Sequence, residues 1–207
     1  MTKIDLKKEL RYLYHSHTKA VSVVDAPPMN FLMIDGAGDP NTAQAYQDAI
    51  EALFSVSYAL KFMIKKSDLA IDYGVMPLEG LWWAEEMARF SMDEKQHWLW
   101  TAMIMQPEYV TESLVAQAIA DVTKKKGLPA AAQLRFEMFH EGQSAQIMHI
   151  GPFSAEKPTI ERLHQHIEKL GFRRAGKHHE IYLSDFRKAS PEKLKTIIRQ
   201  PMGELKS

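Results

Sequence analysis

Gly176-Lys177-His178-His179-Glu180-Ile181-Tyr182-Leu183-Ser184-Asp185 reads as a β-strand, because β-branched and aromatic residues alternate with polar ones. Period-two alternation puts His179, Ile181 and Leu183 on one face, and His178, Glu180, Tyr182 and Ser184 on the other. A carboxylate beside a phenol on a rigid strand is a suitable polar kernel for a binding site. The plainer reading is a half-buried antiparallel strand whose wet face merely solvates Glu180.

Working outward, the strand belongs to a repeating order of elements. Before it, Leu134–His140 and Ala145–Ile150 read as strands around a Glu141-Gly142 turn. Pro158 opens a helix carrying Ile160, Leu163, Ile167 and Leu170, closed by Gly171. After it, Lys193–Arg199 is expected as the last strand, ending before Pro201. The first half runs in the same order. Val21–Val24 and Phe31–Ile34, split by Pro27-Pro28, predict a broken or edge strand. Asp35-Gly36-Ala37-Gly38 is a turn, and Asp39 is the expected N-cap of a helix with Pro40 at its first position. That helix runs to about Lys66, with Tyr46, Ile50, Leu53, Ser57, Leu60 and Ile64 on one stripe. Strands follow at Leu69–Val75, Leu78–Ala84 and Gln96–Met105, with Met87–Lys95 open to a helical turn or a loop. Thr111–Lys126 is a helix closed by Gly127, and residues 128–132 are linker-like. Residues 1–19 form a lead-in with Leu6, Leu10, Leu13 and Tyr14 as apolar contacts. Each half thus reads strand, glycine turn, proline-started helix, strand, strand, a repeat of elements with little residue identity.

The 207 residues carry 45% hydrophobic and 25% charged side chains, ordinary for a globular protein. Lys plus Arg and Asp plus Glu are equal at 26 each, so no net field draws the chain to nucleic acid or an anionic membrane. Lys124-Lys125-Lys126 is the one basic run, and it complements the dipole at a helix end. The absence of cysteine excludes disulfides, thiolate catalysis and cysteine-ligated metal. The charged start is unlike a signal peptide, and no apolar run reaches the ~20 residues a membrane span needs, so a cytoplasmic protein is expected. Nine histidines raise a metal reading. His178 and His179 point to opposite strand faces, His164 and His166 cannot share a helix face, and His-Glu-x-x-His is absent, so no metal is expected. No phosphate-cradling loop, dinucleotide fingerprint or Gly-x-Ser-x-Gly elbow is present, and no cofactor is expected.

Several motifs, in order, carry a resemblance. Ala145 through Phe153, Gly176 through Asp185, and Lys195-Thr196-Ile197-Ile198-Arg199-Gln200-Pro201 resemble the GyrI-like small-molecule-binding domain, which occurs alone or as the effector half of multidrug-sensing regulators. Tyr12-Leu13-Tyr14, Pro28 through Gly36 with Gly38-Asp39-Pro40-Asn41, and Leu78-Glu79-Gly80-Leu81-Trp82-Trp83 resemble the stand-alone subfamily containing the cyclopropanoid cyclopropyl hydrolases. The resemblance implies an α+β fold of two β-α-β-β modules (SHS2-type) with pseudo-twofold symmetry and a ligand cleft between them. The expected organisation is a single domain: a lead-in at 1–19, modules at 20–106 and 131–207, and a connection at 107–130 holding the 111–126 helix. It also implies that the acid of the late strand, Glu180, faces the cleft.

The candidate catalytic residues are Glu180 and Tyr182. Candidate ligand contacts are Trp83, Glu79, Trp98, Trp100, Phe139 and Phe153. Of Trp82 and Trp83, which alternate across a strand, Trp83 is expected at the ligand and Trp82 in the core. Glu79 reads equally as a cleft-mouth acid or a solvated turn residue. Trp98 and Trp100 share a face and read equally as core beneath a helix. Phe139 and Phe153 are placed to close the cleft.

Two function classes follow. One is an enzyme: water addition to the strained cyclopropane of cyclopropanoid genotoxins turns a dienone into a phenol. That reaction requires a donor at the carbonyl oxygen, assigned to Tyr182, and an acceptor for water's proton, assigned to Glu180. The other is a non-catalytic module that binds or senses hydrophobic and cationic aromatic compounds by stacking and charge. A gyrase-inhibitor-like protein-binding role is the third and weakest. The expected partner is a small aromatic ligand, with no direct nucleic acid contact and no membrane, in a monomer or dimer.

Overall fold

The computed structural model describes residues 2–84 and 95–204. Its elements in chain order are β1 (Thr2–Ile4), α1 (Leu6–Glu9), α2 (Arg11–Tyr14), β2 (Ser22–Ala26), β3 (Met29–Ala37), α3 (Gln44–Lys66), β4 (Ile71–Tyr73) and β5 (Leu78–Trp83). There follow β6 (Leu99–Gln106), α4 (Glu112–Lys126), β7 (Arg135–Phe139), β8 (Gly142–Ile150), α5 (Lys157–Lys169), β9 (Phe172–Arg174), β10 (His178–Tyr182) and β11 (Lys195–Glu204). The class is α+β: β1 pairs with β4 in parallel, while β2–β8, β8–β11, β11–β10, β11–β9, β3–β6 and β3–β7 are antiparallel. The undecided Met87–Lys95 stretch lies, up to residue 94, outside the described residues.

The chain forms two compact units. The first takes Met1–Glu9, Met29–Leu78 and Trp82–Phe139; the second takes Leu10–Pro28, Glu79–Leu81 and His140–Ser207. Both halves run strand, helix, strand and strand as expected, with a short strand directly after each helix: β3-α3-β4-β5-β6 and β8-α5-β9-β10-β11, of which β9 was not expected.

In the first unit the strand order is β5-β6-β3-β7. Gly36, Ile34 and Leu32 of β3 stand opposite Trp100, Ala102 and Ile104 of β6. This face lies under α3, because Tyr46 packs edge-on to Trp100 (5.0 Å between centroids) and Gln106 donates to Ser57 Oγ at 3.1 Å. The expected α3 stripe is buried throughout. A side chain at Gly36 would run into the Trp100 indole, so the glycine is what lets Trp100 lie against the sheet. The other face carries Phe31, Met33, Met103 and Met105, all buried.

The second unit orders its strands β2-β8-β11-β10, with Glu79–Leu81 of β5 beside β10. Leu163 and Ile167 of α5 pack on Ala145, Ile147, Ile198 and Met202. Ile198 stands opposite both Ile147 and Glu180, so these three share the α5 face. Arg199 stands opposite Gln146 and His179, which therefore share the face away from α5.

Several boundaries differ from the sequence expectations. Val21–Val24 and Phe31–Ile34 fall in separate strands. β2 is the expected edge strand, while β3 is interior, flanked by β6 and β7. Asp39 does not cap α3. Its Oδ1 accepts from Asn41 N at 2.9 Å and its carbonyl from Thr42 N and Ala43 N, so it closes a local turn, and the helix starts at Gln44. The strand expected at Leu69–Val75 shrinks to β4, which pairs with β1 alone. The strand expected to stop before Pro201 continues to Glu204, because its pairing passes from β8 to β9, a strand the periodicity did not reveal. Pro201 donates nothing, but its carbonyl accepts from Ala175 N at 2.9 Å. Gly127, in contrast, closes α4 as expected with φ 61°, and the helix starts one residue later than expected because Thr111 is its N-cap, Oγ1 accepting from Leu114 N at 3.4 Å. Among the described residues no helix is long and apolar enough to cross a membrane.

Candidate functional site

Facing away from α5, the second unit holds an unbroken chain of buried polar side chains. Tyr14 Oη donates to Glu79 Oε1 at 2.7 Å, and Glu79 Oε2 lies 2.9 Å from His179 Nε2. His179 Nδ1 lies 2.9 Å from Glu141 Oε1, and Arg199 Nη1 donates to Glu141 Oε2 at 3.0 Å. Arg199 Nε donates to Gln146 Oε1 at 3.0 Å and its Nη2 to the Leu13 carbonyl at 2.7 Å. Gln146 in turn donates to the Tyr12 and His15 carbonyls. The chain therefore also ties down the end of α2, satisfying carbonyls that a helix terminus leaves open.

Two carboxylates here face one imidazole and one guanidinium, and the burial of all four makes their protonation states interdependent. Burial pulls the His179 pKa down, but Glu141 and then Glu79 outweigh it and raise it to about 9. Burial raises Glu141, but the charges of His179 and Arg199 outweigh it and hold its carboxyl at about 2. At neutral pH His179 is thus an imidazolium donating from both nitrogens. Burial, and then the Glu79 charge, push the Tyr14 phenol well above its ordinary value, so Tyr14 is a donor throughout. Glu79 accepts one such bond on each oxygen, which leaves acceptor capacity for a water or a ligand proton.

A second polar group lies on the α5 face. Glu180 Oε1 lies 3.0 Å from His178 Nε2, and Tyr182 Oη donates to Glu180 Oε2 at 2.8 Å. Tyr182, Phe153 and Phe186 pack edge to face with centroids 5.6–6.0 Å apart. His149, whose Nδ1 lies 3.1 Å from Thr159 Oγ1, is lowered by burial. His164 is lowered to about 4 by burial and then by Arg174 and His178. The strand alternation expected around Glu180 is observed, but its carboxylate sits on the same face as the α5 core.

The remaining expected site residues separate. Trp82, Trp98 and Trp100 are buried in the first unit; Tyr46 lies 5.5 Å from Trp82 and 5.0 Å from Trp100, and Trp82 lies 5.4 Å from Trp98. Trp98 and Trp100 thus belong to the aromatic packing beneath α3. Trp83 alternates with Trp82 along β5 and is half-buried. Phe139 is half-buried with its ring 6.0 Å from Phe31. Glu79 is neither solvated nor at a turn: it is 1% exposed within the polar chain. Among the described residues no cluster of His, Asp and Glu fits a metal ion.

His179, Glu141, Arg199 and Tyr14 were not expected at a site. His179 shares its strand face with Ile181, which made that face look apolar, and Glu141 read as a turn residue. One signal was present: Tyr12–Tyr14, Leu78–Trp83 and Lys195–Pro201, three of the motifs that carry the family resemblance, each place one member of the chain.

A sequence profile of the GyrI-like small molecule binding domain matches residues 19–202. The chain belongs to this family. Among solved structures, an uncharacterized conserved protein from Listeria innocua is 41% identical with a TM-score of 0.88, the alignment covering 97% of this chain and 100% of that one. A hydrolase from Listeria innocua is 39% identical with a TM-score of 0.84, again covering 97% and 100%. The C-terminal domain of EcmrR is similar in fold alone, at 12% identity and a TM-score of 0.55, covering 90% and 98%. No match was found among curated proteins. The GyrI-like assignment makes this a small-molecule-binding domain, and the buried acids of the second unit are its candidate polar determinants.

Proposed function

We propose that this GyrI-like protein binds flat, hydrophobic aromatic small molecules and hydrolyses the cyclopropane of cyclopropanoid genotoxins, a detoxifying activity in the cytoplasm. The observation that carries the reading is the Tyr14–Glu79–His179 chain, in which a phenol and an imidazolium each donate to a separate oxygen of one buried carboxylate. The similarity to a hydrolase from Listeria innocua supports an enzyme over a purely binding module. In the reaction, water's oxygen bonds to the cyclopropane methylene as the strained carbon–carbon bond breaks. The electron pair of that bond moves to the dienone carbonyl, giving a phenolate that takes up a proton. Glu79 accepts the proton that water loses, Tyr14 and His179 hold its carboxylate in place by donating to it, and the phenolate takes up its proton from solvent.

A second assignment of the acid–base pair uses Glu180 and Tyr182, favoured by their own 2.8 Å hydrogen bond and the aromatic rings of Phe153 and Phe186 beside them. Incubating the protein with a cyclopropanoid and detecting the ring-opened water adduct by mass spectrometry tests the activity. Saturable binding without the adduct would leave the non-catalytic drug-binding reading.

A further inference from the structure

On the first unit, α3 and α4 line a groove of about 450 Å³ that contains none of the residues proposed above for catalysis. Its lining surface is mostly apolar, with charged side chains among the residues that border it. Tyr58 and Phe62, one helical turn apart on α3, are 48% and 50% exposed, and Met63 and Val122 complete the surface. Cations stand at both ends. Lys126 Nζ donates to Ser55 Oγ at 3.0 Å at one end, and Lys66 stands eleven residues further along α3 at the other, roughly 16 Å away along the helix. Lys125, its side chain 73% exposed, adds a third cation and lies 3.5 Å from the one carboxylate of the lining, Asp121. Lys61 stands 6.0 Å from the Phe62 ring centroid.

The lysines near the ends of α3 and α4 complement the helix dipoles, which accounts for their charge. It does not account for two large aromatic side chains left half-exposed beside them in a concavity. The volume falls within the usual range for small-molecule sites. We propose that this groove binds a monomeric anionic amphiphile, a carboxylate or sulfate head on an alkyl or fused-ring body. The body lies along Tyr58 and Phe62, and the head meets Lys125 and Lys126 or Lys66. Charge complementarity selects this occupant. An apolar wall alone would take any hydrophobe, but cations at both ends and a single, already paired carboxylate disfavour a cationic one.

Dodecanoate is the probe, titrated into the full-length protein by calorimetry. The aromatic resonances of Tyr58 and Phe62, followed by NMR, report its location. Dodecanoate is expected to shift both resonances and to bind about tenfold more weakly at high salt or in the surface variant K66E/K125E, the loss of two exposed charge contacts. Dodecyltrimethylammonium is expected to leave both resonances unmoved, and Phe62→Ser to abolish the dodecanoate response while circular dichroism stays native. Equal dodecanoate affinity in K66E/K125E, or binding that leaves Tyr58 and Phe62 unshifted, overturns the proposal. Co-sedimentation with phosphatidylserine vesicles that is lost in K66E/K125E assigns the groove to a bilayer and overturns it. Self-association that Phe62→Ser abolishes assigns it to a second copy, with the same result.

Discussion

Glu79 and His179, a hundred residues apart in sequence, meet at 2.9 Å with both side chains 1% exposed. A buried charge is stable only when paired and hydrogen-bonded, and each of these residues supplies the other with such a partner. His179 is held on its second nitrogen by Glu141, and Glu141 by Arg199, so the pair is oriented from both sides.

The two candidate acids separate by substitution. Glu79→Gln is nearly isosteric and is expected to leave ligand affinity within a few-fold while slowing single-turnover adduct formation by ~10²–10⁴, the range for a lost general base. Glu180→Gln is expected to keep wild-type rates. Measuring product formation on both variants with matched melting curves decides; a slow Glu180→Gln with a fast Glu79→Gln moves the chemistry to the α5 face.

Stability should depend on pH through His179 and Glu141. The folded pKa of His179, about 9, lies above its ordinary 6.5. Its contribution is therefore complete below pH 6.5 and is lost as pH rises through 9. Glu141, at about 2 against an ordinary 4.5, contributes fully above pH 4.5 and loses that contribution as pH falls through 2. Urea midpoints are expected to be level from about pH 5 to 6.5 and to decline toward pH 9, and His179→Gln should flatten the alkaline decline. An undiminished midpoint at pH 9 in the native sequence would show that His179 is not the charged member of the chain.

Trp82 and Trp83 should respond oppositely to truncation. Trp82→Ala removes a buried ring packed on Tyr46 and Trp98 and is expected to cost about 3–5 kcal/mol of stability. Trp83→Ala is expected to cost less stability and instead to weaken binding and fluorescence quenching by a flat aromatic ligand. Unchanged ligand affinity in a folded Trp83→Ala protein would remove Trp83 from the ligand site.

Gly36→Ala adds a single methyl, yet that methyl points into the Trp100 indole. The ring is fully buried against Tyr46 and has nowhere to retreat, so about 1–3 kcal/mol of destabilisation is expected from overpacking. A drop in thermal midpoint, partly relieved by adding Trp100→Phe, is the check.

Local chemistry was the most legible part of the chain. The α3 stripe from Tyr46 to Ile64, the Gly127 stop and the alternation around Glu180 all follow from neighbours within a few residues. Short pairings were less legible: β9, three residues long, is too brief for a period to show and pairs on the edge that β11 offers, while the strand expected at Leu69–Val75 keeps only the three residues that pair with β1. Asp39 failed as a cap because Asn41 competes for its side chain within the same turn.

Sequence by itself determined the class, the repeated order of elements and the family, because each rests on periodicity, turn residues or short ordered motifs. It also determined which residues of β10 share a face. Only the tertiary structure decided which face carries what. Register across β8, β11 and β10 sends Glu180 to the α5 side with Ile147 and Ile198, and joins His179 to Arg199 and Gln146 on the other. The Tyr14–Glu79–His179–Glu141–Arg199 chain draws on five segments of sequence, and none of its members carries a local sign of the others. A carboxylate looks solvated until the fold removes its water, and the partners that replace that water are set by strand pairing at long range.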